Sequence, residues 1–314
     1  MRARAVERVL RKIPSSMPGA EEVRAYLKAL HARKYSLSTI NATARVLRDL
    51  FRSLAASGIE RLQDVQPADL DAYRLALVDR GLKVNTLNAY LLSVRKFFRF
   101  LEQTQRIFDN PAAELLIPRV QRRIAYRIPT VAEIKRLLEQ PDLSKPRGFR
   151  DRALLEVAYS TGCRLNELMQ MQIFDPDLQN GYMRVKGKGN KERVVPLGKQ
   201  AVFWLEQYLP AARGKLLRRD PDLHALWIGS WGRPLSDQIW RRRVREYADR
   251  AGITPPLTPH MLRRACATHM LQRGAHPVQL QMLLGHASLQ HLSHYLRLSI
   301  KDIKEQHERS KPGK

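Results

Sequence analysis

Three prolines and four arginines between residues 110 and 130 divide this chain into two parts. Pro111, Pro118 and Pro129 stand in that stretch, and proline removes a backbone donor and disfavours helix in the residue before it. A chain of 314 residues is long enough for two domains. We therefore predict a helical domain over residues 1–110, a basic linker over 111–130, a second domain over 131–298 and a tail over 299–314.

The first part has the apolar spacing of amphipathic helices. Hydrophobic residues recur there at steps of three and four, which places them on one helical face, and glycines follow two of the segments as stop signals. The pattern predicts a four-helix bundle with basic outer surfaces. Its helices are expected at Glu21–Leu30, Ser36–Ser57, Pro67–Gly81 and Val84–Leu101.

The second part mixes helical and strand patterns. Two short strands, Tyr182–Val185 and Glu192–Pro196, flank a glycine-rich loop that is typical of a hairpin. We place Phe203, Trp204, Leu205 and Tyr208 in the core. The predicted fold class is mainly α with a small β-hairpin or sheet in the second domain (α+β). Its helices are expected at Val131–Glu139, Phe149–Ser160, Asn166–Met171, Gln200–Leu209, Ser236–Ala251, Pro259–Arg273 and Val278–Leu284.

The chain carries a formal net charge of +26, and both parts share the excess. Residues 1–124 have a net charge of +11 and the remainder +15, so both domains are expected to contact one polyanion. The alternative is a ribosome-associated or merely soluble basic protein. The candidates for contact with a DNA backbone are Arg95, Lys96, Arg99, Arg122, Arg123, Arg241, Arg242, Arg243 and Arg245.

Several classes of protein are disfavoured. Charged residues interrupt every apolar stretch well before about 18 residues, so we expect no membrane span and no signal peptide. Cys163 and Cys266 cannot form a disulfide framework, which favours the cytoplasm. The sequence lacks phosphate-loop and zinc-ligand motifs, and His291 and His294 have no third ligand nearby. We therefore expect no metal and no cofactor.

Five separate segments of the second part carry chemically competent side chains. Each segment alone does not indicate a function, because an arginine is usually solvated, a histidine usually makes structural hydrogen bonds and a tyrosine is usually half buried. Their order along the chain is what is specific. The segments are T-G-C-R-L-N-E-L with Arg164, K-G-K-G-N-K with Lys188, H-M-L-R with His260 and Arg263, L-L-G-H with His286, and Tyr295 nine residues later.

In this order the segments resemble the active-site signature of the tyrosine recombinase (phage integrase) family, in particular its Xer-like members. The resemblance covers nearly the whole chain and implies a helical, SAM-like core-binding domain followed by a catalytic domain. It implies that Tyr295 is the nucleophile and that Glu167 braces the site. The other catalytic residues that it implies are Arg164, Lys188, His260, Arg263 and His286.

The chemistry of these side chains suits such a reaction. Transesterification of a phosphodiester needs a hydroxyl nucleophile, neutralisation of the phosphate and a proton for the leaving oxygen. The forked donors of Arg164 and Arg263 match phosphate oxygens, and His286 can add another donor. Lys188 can protonate the leaving 5′ oxygen, and His260 is a candidate general base toward Tyr295.

The resemblance also implies partners. These are duplex DNA with a short inverted-repeat site, and four protomers on two such sites, as a homotetramer or with a second recombinase, exchanging strands through a Holliday junction. The protein would then lie at the nucleoid. A type IB topoisomerase-like activity and a non-catalytic DNA-binding relative are the alternatives. The tail over 299–314 is expected to contact a neighbouring protomer.

Overall fold

The first part of the chain folds into helices whose apolar faces meet in one core. The computed structural model describes residues 2–118, 127–187, 192–217 and 222–285, and its contacts separate two units, Met1–Arg123 and Ile124–Lys314. The first unit contains a short 3₁₀ turn at Leu62–Asp64. Its helices are α1 (Arg2–Leu10), α2 (Ala20–Ala32), α3 (Leu37–Ala56), α4 (Pro67–Asp79) and α5 (Val84–Gln103).

The expected count of four helices in this unit was wrong, because α1 adds a fifth. Val6 and Val9 lie one turn apart on α1, and both are buried together with Ile13. The helix packs against α2 and α3. The predicted α2 to α5 are confirmed, with ends shifted by a few residues.

Aromatic side chains fill the centre of the first unit. The ring of Phe97 on α5 is fully buried and lies edge-on to Phe51 of α3, with 5.9 Å between the ring centroids. Tyr26 of α2 and Phe98 approach the same ring at 5.6 and 5.4 Å. Such tilted pairs add about 0.5–1.5 kcal/mol each beyond the burial of their area, so α2, α3 and α5 are fixed against one another.

The second unit combines eight helices with a small sheet in its described residues. The last turn of α9 continues as a π-helical segment, Leu209–Arg213, and a 3₁₀ turn covers Ser230–Gly232. The helices are α6 (Val131–Leu138), α7 (Pro146–Thr161), α8 (Leu165–Met169), α9 (Lys199–Tyr208), α10 (Gly214–Leu216), α11 (Asp237–Arg250), α12 (Pro259–Gln272) and α13 (Pro277–Leu284).

The sheet has three antiparallel strands in the order β1 (Pro176–Asp177), β2 (Tyr182–Lys186) and β3 (Glu192–Pro196). The predicted hairpin is confirmed, and β1 is an addition to it. Val185 faces Arg193 across the β2–β3 pair. Because side chains alternate along a strand, Met183, Val185 and Val195 enter the core while their neighbours remain outside it.

Helix α7 lies at the centre of the second unit. It packs against α9, α12 and the π-helical segment, and its residues from Ala153 to Ala158 are all buried. Two ends of this helix matter later: Asp151 near its start, and Gly162 directly after it. One core prediction was wrong, because the side chain of Phe203 on α9 is 46% exposed. The structure describes no helix long and apolar enough to cross a membrane.

Candidate active site

Arg164 stands at the point where α7 ends and α8 begins. Gly162 stops α7 in the left-handed region at φ 58°, which side chains with a Cβ rarely adopt. A Cβ at this glycine would lie 2.7 Å from Cδ2 of Leu284. The turn therefore requires glycine on both grounds, and it delivers Arg164 with 45% of its side chain exposed.

Glu167 is the carboxylate around which the site is organised. Its Oε1 accepts from Nη1 of Arg164 at 3.0 Å, and its Oε2 accepts from the backbone N–H of the same residue at 2.9 Å. The side chain is only 5% exposed. Burial raises the pKa of Glu167, but the hydrogen bonds and charges of Arg193 and Arg164 outweigh it and hold the pKa below its usual range. The predicted brace is therefore a buried, ionised carboxylate.

Arg193 is a member of the site that the sequence did not single out. From β3 it grips Glu167 with two parallel bonds, Nη1 to Oε1 at 3.1 Å and Nη2 to Oε2 at 2.8 Å. Its Nε donates to the carbonyl of Leu283 at 3.0 Å. The sequence shows only an arginine within a predicted strand, because the carboxylate that it binds lies 26 residues earlier.

Arg263 occupies the interior of the same region. It lies on α12, is 2% exposed, and donates from Nη1 to the carbonyl of Gly162 at 2.6 Å and from Nη2 to that of Leu284 at 2.8 Å. It therefore ties the end of α7 to the end of α13. We refer to Arg164, Arg193 and Arg263 as the arginine cluster.

All three members of the arginine cluster meet at the last carbonyls of α13. Arg193 takes the carbonyl of Leu283, Arg263 takes that of Leu284 and Arg164 takes that of Gly285 at 3.0 Å. The carbonyl end of a helix carries partial negative charge, so guanidinium groups are favourable there. The arrangement fixes the chain at Gly285, directly before His286 in the sequence.

His260 lies on the first turn of α12, one turn from Arg263, and is exposed. Partial desolvation of the ring lowers the pKa of His260, and the positive charges of Arg263, Arg264 and Arg164 lower it further. The imidazole is therefore neutral at pH 7 and able to accept a proton.

The remaining predicted catalytic residues, Lys188, His286 and Tyr295, lie outside the described residues, as do Arg122, Arg123 and the tail over 299–314. Their roles stay predictions. Within the described ranges, the structure brings together Arg164, Glu167 and Arg263 as the sequence analysis expected, and His260 is close enough for the charges of both arginines to act on it.

The basic candidates on the first unit differ in their surroundings. Lys96 and Arg99 on α5 are exposed. Arg95 is half-buried, and its guanidinium donates to the carbonyl of Leu115. Arg95 therefore fixes the segment that follows α5, whereas Lys96 and Arg99 present their charge to solvent.

The arginines on α11 also differ in their exposure. Arg241, Arg242 and Arg245 are exposed. Arg243 turns inward, where its Nε donates to Asp151 at 3.1 Å and its Nη2 to the hydroxyl of Tyr247 at 2.6 Å. These bonds hold the guanidinium of Arg243 against Asp151 and Tyr247, and its contact with DNA stays a prediction.

The site has the charge required for binding a phosphate. Arg164 and Arg193 bond the carboxylate of Glu167, and Arg263 shares the end of α13 with them. Three guanidinium groups and one carboxylate leave about two positive charges in excess by simple counting. The side chain of Arg164 is 45% exposed, so its positive charge is accessible to an oxyanion from solvent. The described ranges contain no group of three or more histidine, cysteine or acidic side chains placed to hold a metal ion.

The chain matches two family models. One is described as "Phage integrase family" and matches residues 129–301, and the other as "Phage integrase, N-terminal SAM-like domain" and matches residues 23–105. Tyrosine recombinase XerC 2 of Ralstonia nicotianae is 34% identical over 92% of this chain and 85% of its own length. Tyrosine recombinase XerD of Shewanella oneidensis is 35% identical over 90% of this chain and 95% of its own length.

Solved structures share the fold at lower identity. A lambda integrase fragment bound as a dimer to a core site superposes with a TM-score of 0.69, at 20% identity over 88% of this chain and 94% of that one. XerH bound to its difH substrate gives 0.68, at 22% identity over 96% and 94% of the two chains. Together with the family models and the curated relatives, this establishes that the chain belongs to the phage integrase family and is an enzyme of the tyrosine recombinase class.

Proposed function

We propose that this protein is a site-specific recombinase that cuts and rejoins duplex DNA through a 3′-phosphotyrosine formed on Tyr295. The observation that supports this most directly is the convergence of Arg164 and Arg263, from α8 and α12, on the end of α13 just before His286. A phosphate bound beside Arg164 would meet donors from three parts of the chain.

The arginines stabilise the negative charge that develops as the tyrosine oxygen attacks. Arg164 contacts the non-bridging oxygens, because its side chain is 45% exposed. Arg263 is buried and adds a second positive charge to the phosphate site while it holds Leu284. His286 adds a further hydrogen bond. Donors fixed before the reaction need no reorganisation in the transition state, which is the main source of such stabilisation.

Two side chains move the protons. Tyr295 loses its phenolic proton to His260, whose lowered pKa keeps the ring neutral and able to accept it. The phenolic oxygen forms a bond to phosphorus as the bond to the 5′ oxygen breaks. Lys188 donates a proton to that departing oxygen. The reverse attack by a 5′ hydroxyl rejoins a strand with no net loss of bond energy.

The proposed substrate is a pair of short inverted-repeat sites held by four protomers, alike or shared with a second recombinase. Relatives of the same fold include lambda integrase as a tetramer bound to a Holliday junction and XerH bound to palindromic difH. Integration or excision of a mobile element and resolution of dimers would use the same residues. The genomic position of the site would distinguish these roles. Binding to chromosomal DNA would place the protein at the nucleoid.

Two alternatives make different predictions. A type IB topoisomerase-like enzyme would cut with little sequence demand, and a non-catalytic relative would bind DNA without forming a covalent bond. Tyr295→Phe would abolish cleavage by a recombinase or topoisomerase and would change nothing measurable in a binding protein.

The experiment that tests the proposal traps covalent adducts between the full chain and genomic DNA of the source organism. Complexes are denatured, and DNA still attached to protein is sequenced. Tyr295→Phe is compared with Tyr182→Phe, a matched change at an exposed tyrosine of β2. Adducts at one repeated site, lost only in Tyr295→Phe, support the proposal. Scattered adducts favour the topoisomerase. No adducts at all favour the binding protein or a recombinase that lacks its partner.

The tail has its own test. We propose that residues 299–314 contact a neighbouring protomer and promote its activity. A chain that ends at Ser299 is then expected to bind one site normally and to assemble and recombine less well than the full chain. Equal recombination by both chains would contradict this proposal.

A further inference from the structure

Arg193 uses every nitrogen of its guanidinium on parts of the site. Two nitrogens grip the carboxylate of Glu167 at 3.1 and 2.8 Å, and the third donates to the carbonyl of Leu283. The flat face of the group lies against Gly285, where an added Cβ would come within 3.0–3.2 Å of three guanidinium atoms. The side chain is 17% exposed, so most of its surface contacts the protein.

These bonds determine how Glu167 is shared between two arginines. Because Arg193 occupies both carboxylate oxygens, Arg164 gives that carboxylate a single side-chain bond, from Nη1, and directs Nη2 to Gly285. Without Arg193, the buried carboxylate would have Arg164 as its guanidinium partner. Forked pairing is the preferred geometry for arginine and carboxylate, so Arg164 would turn toward Glu167 and away from a phosphate.

Arg193 also joins three elements that adjoin predicted catalytic residues in the sequence. It lies on β3, five positions after Lys188 and opposite Val185 of β2. Through Glu167 it reaches α8, where Arg164 begins the helix, and through Leu283 it reaches the end of α13. We propose that Arg193 is a positioning residue of the recombinase, which holds Arg164 available to the phosphate and sets the hairpin against the end of α13. This inference rests on the proposed function.

The matched control lies in the same hairpin. Arg184 on β2 also pairs with a buried carboxylate, Asp175, at 3.1 Å, and that carboxylate is 2% exposed. Replacing Arg184 by glutamine leaves Asp175 without its guanidinium partner, and replacing Arg193 leaves Glu167 with Arg164 alone. Both changes weaken the pairing of a buried acid and should lower stability. Asp175 makes its contacts away from the arginine cluster, with Arg184 and the backbone of Gln172.

The experiment measures single-turnover cleavage of the site recovered by adduct trapping, and DNA affinity beside it. Arg193→Gln is expected to slow cleavage about 10- to 100-fold, as for a lost hydrogen bond to a charged group, with the Kd for DNA changed less than about 3-fold. Arg193→Lys keeps the charge without the fork and should recover part of the rate. Arg184→Gln should cleave at the wild-type rate.

A double variant tests the sharing of the carboxylate. Adding Glu167→Gln to Arg193→Gln removes the charge that would capture Arg164, so the double variant should cleave faster than Arg193→Gln alone. Equal slowing in Arg184→Gln and Arg193→Gln would overturn the inference, because it would show a general loss of folding. If the double variant cleaves no faster than Arg193→Gln, the inference that Arg193 keeps Glu167 from capturing Arg164 is overturned.

Hydrogen exchange supplies a readout that needs no cleavage. Amides of α13 near Leu284 and Gly285 should exchange at least about 10-fold faster in Arg193→Gln than in Arg184→Gln, because the carbonyl of Leu283 loses its charged donor. Equal exchange in the two variants would overturn the inference. If the wild-type chain forms no adduct, cleavage gives the proposed function no support, whereas this measurement still decides whether Arg193 positions α13.

Discussion

Replacing Asp151 by asparagine should destabilise the second unit more than replacing any exposed charged residue. Asp151 has no exposed surface and accepts four hydrogen bonds. Its Oδ1 receives Nε and Nη2 of Arg150 at 2.8 and 2.7 Å, and its Oδ2 receives the hydroxyl of Tyr247 at 2.6 Å and Nε of Arg243 at 3.1 Å. The side chain of Arg150 is 3% exposed.

The size of the effect follows from what the substitution leaves behind. Removing one partner of a buried ion pair costs about 3–5 kcal/mol, because the other charge stays buried without compensation. Asparagine keeps one acceptor oxygen for Arg150, so we expect the lower end, about 3 kcal/mol. For a unit of this size each kcal/mol lowers Tm by about 2–4 °C, which gives a fall of about 6–12 °C.

Tryptophan fluorescence during urea unfolding measures this loss on the intact chain. All four tryptophans lie in the second unit, two of them fully buried at Trp227 and Trp240, so the signal reports that unit alone. Asp237→Asn is the control, because it breaks an exposed pair with Arg241 on α11 and should cost no more than about 1 kcal/mol. A loss below about 1 kcal/mol for Asp151→Asn would refute the reasoning.

Three further changes have defined outcomes. Gly162→Ala should lower the free energy of urea unfolding more than Gly252→Ala, because both glycines have positive φ but only at Gly162 would a Cβ press onto Leu284. Equal losses would show that the close approach to Leu284 adds no cost. The cleavage rate should rise with pH through a pKa below 6.5 and then level off, because the lowered pKa of His260 leaves a neutral base above it; a pH-rate profile with a midpoint above 6.5 would contradict that role. Thr130→Ala removes the hydroxyl that caps α6 and should cost about 1 kcal/mol in the same unfolding assay; a loss near zero would mean that α6 does not depend on its cap.

Much of the fold could be predicted from the sequence, because local patterns specify it. The apolar spacing of α3 and α5 and the glycine-rich loop between β2 and β3 are signals carried by neighbouring residues. Helix α1 was missed because its basic residues hide a short apolar stripe, Val6 and Val9. Strand β1 has two residues, too few for any alternation to appear.

In the candidate site too, features specified by local motifs could be predicted and contacts between distant residues could not. Arg164 and Arg263 could be identified from motifs. The contact of Arg193 with Glu167 could not, because the two residues are 26 positions apart in the sequence. Arg243 was predicted to contact phosphates because it stands in a run of arginines, and the sequence gives no sign of its contact with Asp151. Its neighbours in sequence are exposed arginines, whereas its actual partner, Asp151, is 92 residues away.

The two cysteines make the chain convenient for labelling. Cys163 and Cys266 are both buried, and burial raises the pKa of both thiols, to about 12 for Cys266. The thiolate is the form that reacts with maleimides, so neither native cysteine should take up a dye at neutral pH. One cysteine introduced at an exposed position such as Asp79 or Glu139 would therefore be the sole reactive site, and energy transfer between dyes could then follow protomers as they assemble on DNA.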